Sequence, residues 1–93
     1  MSSKQHFTIE EASVVAQQLG IDFAQVKFLL ESFRAGMDVE LEHGLVAAST
    51  NVSNDDPLTT GKIALAHLRE FPDYYERLAK MEKEAEAFWE SQN

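Results

Sequence analysis

Apolar residues recur along this chain at helical spacing, in four runs separated by turn formers. Ile9, Ala12, Val15, Ala16 and Leu19 form the first stripe. Thr8 and Glu11 have the spacing of a capping box, and Gly20 supplies a stop. The second stripe is Val26, Leu29, Leu30, Phe33 and Met37. Asp22, with Gln25 three residues on, predicts its start, and Gly44 its end. Gly36 lies inside this helix at a cost of about 1 kcal/mol relative to alanine, which points to a bend or to the close approach of a neighbour. The third run opens with Asp56 as cap and Pro57 at the first helical position, carries Ile63, Ala64, Leu65, His67, Leu68 and Phe71, and stops at Pro72. The fourth opens at Asp73, with Glu76 at capping-box spacing. Its apolar face is Tyr74, Tyr75, Leu78, Met81, Ala85, Phe88 and Trp89. Lys80, Lys83, Glu84 and Glu90 form a solvated face opposite.

Residues 45–55 are rich in turn formers and predict a loop, within which Leu45-Val46 is apolar enough for a brief strand. A loop of that length is long for so small a domain. The expected architecture is all-α: a compact bundle of about four short helices with one long loop between helices two and three. The chain would form a single domain over residues 1–93, with residues 1–6 flexible.

Composition narrows the function classes. With 44% hydrophobic and 26% charged residues, the chain fits an ordered domain rather than a disordered one. The absence of cysteine excludes disulfides, thiolate metal ligands and a cysteine nucleophile. The net charge of −8 disfavours phosphate backbones, so nucleic acid is an unfavourable partner and a cation or cationic protein a more favourable one. Residues Met1–His6 lack the apolar stretch of a signal peptide, and no apolar run approaches the roughly 20 residues of a membrane span. These features point to a cytoplasmic protein with no membrane segment.

Candidate chemistry centres on two acid–histidine couples. Glu40 and His43 are three residues apart on helix two, and His67 and Glu70 are three apart on helix three. Residues i and i+3 share a helix face, so each couple presents an imidazole and a carboxylate together. Glu40 continues the apolar stripe through Phe33 and Met37, which places it at or inside the core, where a carboxylate needs a partner. His67 has Ile63, Ala64 and Phe71 as helical neighbours. Three readings are open: a polar network in which His67 bonds Tyr74, Tyr75 or Glu40; a site for a divalent metal (Zn, Mn or Fe) on Glu40, His43, His67 and Glu70; and proton transfer without metal. Phe88 and Trp89 dock the last helix onto the core or form an aromatic patch for a partner or a second copy. Thr60-Gly61-Lys62 lacks the leading glycine and preceding strand of a phosphate loop. Asn51, Asn54, Asp55 and Asp56 lack calcium-loop spacing and read as turns and caps.

The matching segments are 33–43 and 54–82, with two long motifs, Glu40-Leu41-Glu42-His43-Gly44 and His67-Leu68 followed by Pro72-Asp73-Tyr74-Tyr75. On these the chain resembles a small family of uncharacterised proteins from bacteria, archaea and phages. The resemblance covers most of the chain after Phe7 and implies no particular activity. The leading expectation is a small acidic binding or accessory module without enzymatic activity. The alternative is a metal-binding protein, a hydrolase or redox enzyme, using the two couples.

Overall fold

The computed structural model describes residues 4–92. Among them are four α-helices and no strand: α1 (Ile9–Gln18), α2 (Leu30–Glu40), α3 (Pro57–Glu70) and α4 (Tyr74–Glu90). Two 3-10 turns, Leu41–His43 and Ala48–Thr50, lie between α2 and α3. The fold is an all-α bundle. No helix among the described residues is long and apolar enough to cross a membrane.

The first helix follows the sequence closely. Thr8 accepts from the Glu11 amide at 3.1 Å, and Glu11 accepts from the Thr8 amide at 2.8 Å. Phe7 and Ala12, the two positions of a hydrophobic staple, are both buried. Gly20 follows with φ +70°, a conformation that suits glycine at a helix end.

The second helix starts later than its pattern suggests. Asp22 caps only an isolated turn, accepting from the Ala24 amide at 2.9 Å, and regular helix begins at Leu30. The side-chain directions explain the break. In one helix from Asp22, Phe28 would point about 150° away from Phe33, Met37 and Glu40. Breaking the helix turns Phe28 inward to 6% exposure, edge-on to Phe23 at 6.0 Å, and leaves Leu29 at 72% exposure. Leu29 therefore leaves the stripe, and the burial of Phe28 replaces it.

The connection from α2 to α3 contains no strand at Leu45-Val46, which lie in an exposed turn. Asp55 pins it: its carboxylate accepts from the Leu45 amide at 2.9 Å and the Lys4 amide at 2.7 Å. Asn54 and Asp55 adopt φ of 54° and 62°, which these residue types tolerate. Asn51 and Asn54 bond each other and close the turn. The expected flexibility of residues 1–6 lies outside the described residues for 1–3, while Lys4 is tied to Asp55.

Asp56 caps α3 through the Thr59 amide at 2.9 Å. At α4, Asp73 makes no side-chain cap, and it bonds Arg77 at 3.0 Å instead. The core comprises Phe7, Ala12, Val15, Ala16, Phe28, Phe33, Met37, Leu41, Ala64, Leu65 and Leu68. All come from α1–α3 and the segments around them. No residue of α4 is buried. Its base rests on the core through Tyr75, and Met81, Phe88 and Trp89 are 52%, 54% and 66% exposed. The expected docking of the last helix by Phe88 and Trp89 therefore does not occur. Those two rings pack edge-to-face on each other at 4.9 Å. The radius of gyration, 14.2 Å, exceeds the about 12 Å of a compact chain of this length, as an arm of roughly 25 Å would make it.

Candidate functional site

Glu40 ends α2 on the face of Phe33 and Met37, and it is 4% exposed. Its partner comes from α4. The Tyr75 hydroxyl donates to Glu40 Oε2 at 2.6 Å. The ring reaches that oxygen by lying across Gly36, where a Cβ would stand 2.5 Å from Tyr75 Cε2. The close approach that Gly36 permits is thus made by a single aromatic side chain. Burial above all, and then the adjacent Glu40 carboxylate, push the Tyr75 phenol far above its ordinary range, so it stays a donor.

His67 stands beside this bond. Its Nε2 lies 3.7 Å from the same Glu40 oxygen, and its Nδ1 lies 3.7 Å from Glu70 Oε1. Both distances exceed hydrogen-bond range, so the contacts are electrostatic only. Tyr74 stacks flat on the imidazole at 4.1 Å and 8°, while Tyr75 meets it edge-on at 6.1 Å and 87°. The Nδ1 atom is buried without a hydrogen-bond partner among the described residues. Burial, followed by the charges of Glu40, Glu70 and Glu42, raises the Tyr74 phenol as well.

The acid of the first couple thus meets the histidine of the second, with Glu70 on the outer side of the ring. His43 goes elsewhere. It lies in the 3-10 turn, half-exposed, with Nε2 3.2 Å from Glu42 Oε1. Glu42 is held above the usual carboxylate range by burial first and by Glu82 of α4 second. Among the described residues, no group of three or more His, Asp or Glu side chains is arranged to hold a metal ion. Metal ligation needs donor atoms about 2 Å from one centre. Here the Tyr75 hydroxyl occupies Glu40 Oε2, and His43 faces Glu42. Chemically the arrangement is a clamp: a phenol locked as donor, a buried acceptor, and an imidazole held between two tyrosines.

A second polar strap was not anticipated from the sequence. Arg34 Nη1 donates to Asp38 Oδ2 at 2.7 Å and to the Phe7 carbonyl at 3.2 Å, and Asp38 Oδ1 accepts from the Phe7 amide at 2.7 Å. It ties the segment before α1 onto α2. The i, i+3 and i+4 spacing of Glu31, Arg34 and Asp38 was the available signal, but nothing local showed that Phe7 would complete it.

A family model described as a protein of unknown function, DUF5661, matches residues 12–84. The chain belongs to this family. The matched span includes Glu40, His43, His67, Glu70, Tyr74 and Tyr75, and ends before Phe88 and Trp89. No significant match was found among curated proteins or among solved structures. Membership in the family brings no activity with it, so the functional argument rests on this chain's own geometry.

Proposed function

We propose that this protein is a small, non-enzymatic docking module in which α1–α3 form the folded platform and α4 is the arm that meets a protein partner. One observation carries the reading: α4 buries no residue, yet it bears an apolar stripe in which Leu78 and Ala85 are half-buried and Met81, Phe88 and Trp89 are exposed. An exposed apolar stripe of this size is a liability for a chain that acts alone and an asset for one that binds. The cluster of Glu40, Tyr75, His67 and Tyr74 is then the hinge clamp that fixes the base of the arm, through the Tyr75–Glu40 bond and the stacking of Tyr74 on His67.

Urea unfolding of Met81→Ser/Phe88→Ser tests the first half of this reading. Exposed positions cost little, so the loss should stay within about 1 kcal/mol for the pair. A loss of about 4 kcal/mol or more, the range of core truncation, would mean that the stripe is part of the folded core and would overturn the docking role.

A further inference from the structure

Resting on that docking role, we infer that α4 receives a basic amphipathic helix of a protein partner. The spacing along the stripe indicates a helical occupant. Leu78, Met81, Ala85 and Phe88 follow one another by alternate steps of three, four and three residues, which is the seam of a coiled coil. A seam with that period is matched by another helix carrying the same repeat, and the positions beside it select which helix.

Those flanking positions are acidic. Glu82 and Glu84 stand about 80° to either side of the seam. Beside Trp89 a shallow groove is lined by Glu82, Ala85, Glu86, Trp89 and Glu90. Lys80 and Lys83 fall about 120° and 180° from the seam, so they do not border it. Arg77, nearer the seam, is engaged at the other end of the arm, bonding Asp73 at 3.0 Å and lying over the Phe71 ring at 4.1 Å. Residues 84–92 of the arm carry no basic residue. Glu82 already crowds Glu42 across from α4, raising the latter's proton affinity.

A second copy fits this surface poorly. Each chain carries a net charge of −8, and the acids, not the lysines, flank the seam that would be shared. A helix with leucines on its seam and lysines or arginines beside them would cover the apolar stripe and neutralise Glu82 and Glu84 together.

The single tryptophan of the chain, Trp89, lies in the groove and reports occupancy directly. The probes are two synthetic helical peptides with leucine at every seam position, one flanked by lysine and one by glutamate, and a lysine peptide lacking the leucines. Titration with the lysine–leucine peptide should shift Trp89 emission to the blue and saturate. The glutamate peptide and the leucine-free peptide should leave the emission unchanged. In Glu82→Lys/Glu84→Lys, with helicity checked by circular dichroism, the dissociation constant for the lysine peptide should rise at least about tenfold and the glutamate peptide should gain binding. Equal binding of the lysine and glutamate peptides would overturn the basic partner and leave the docking arm standing. Binding of neither peptide would overturn both. A concentration-dependent dimer in sedimentation that buries Trp89 would replace the basic partner with a second copy.

Discussion

Replacing Tyr75 with phenylalanine removes one oxygen atom and should loosen the base of α4. The ring would keep its place on Gly36, so packing is preserved, and only the 2.6 Å bond to Glu40 disappears. Glu40 is 4% exposed, so water can replace the lost donor only in part. A hydrogen bond to a charged group contributes about 1.5–3 kcal/mol, and an acceptor left buried costs about the same. The expected loss is therefore about 2 kcal/mol, or roughly 8–16 °C in melting temperature for a domain of this size. Urea unfolding at neutral pH, followed by far-ultraviolet circular dichroism, measures it. The slope of the transition should not change, because the surface exposed on unfolding is the same. A double-mutant cycle with Glu40→Leu, which offers no acceptor, assigns the loss to the pair, with an expected coupling of about 1–2 kcal/mol. A loss below about 0.5 kcal/mol, or a coupling near zero, would refute the role of this bond in holding the arm.

Gly36→Ala should destabilise by about 1–2 kcal/mol although alanine favours helix, because the new methyl group meets the Tyr75 ring; a rise in the urea midpoint would show that the ring moves freely. Glu42→Gln should stabilise by a few tenths of a kcal/mol at pH 7, since Glu42 is half-exposed and screened. The sign follows from its raised proton affinity: the charged form is disfavoured in the folded state, so the penalty is full above the folded value, and the gain should fade as pH falls from that value toward the ordinary 4.5 and be gone below it. Melting curves of both proteins at pH 7 and pH 4 check this, and a gain that persists at pH 4 would contradict it. Elemental analysis of untagged protein, purified without metal columns or chelators, should find no stoichiometric Zn, Mn or Fe. Metal present in wild type and lost in His43→Ala/His67→Ala would replace the clamp with a metal site.

The local signals in this sequence were decisive wherever a short stretch of chain settles the matter alone. The Thr8–Glu11 capping box, the Gly20 stop and the Asp56-Pro57 start all act within one helical turn, and the structure shows each of them. The cost of Gly36 in a helix also pointed to a close neighbour, but not to Tyr75, because that contact joins residues far apart in the chain. The same limit applies to the candidate site. Spacing placed an imidazole and a carboxylate on one face of each helix, and packing then joined Glu40 to His67 and turned His43 toward Glu42.

Periodicity misled where two stripes competed for one core. Val26 and Leu29 extend the α2 pattern, but a continuous helix would leave Phe28 outside, and burial of that ring outweighs a few more helical hydrogen bonds. Helix four shows the reverse limit. Its sequence specifies an amphipathic helix and forms one, yet no local rule states what covers the apolar side. The sequence by itself determined that four helices form, the caps of α1 and α3 and the acidic character of the chain, because these depend on neighbours within a turn or on composition. Only the tertiary structure decided that α1–α3 complete the core among themselves and leave the stripe of α4 exposed, because coverage depends on how much apolar surface the other helices have left to offer.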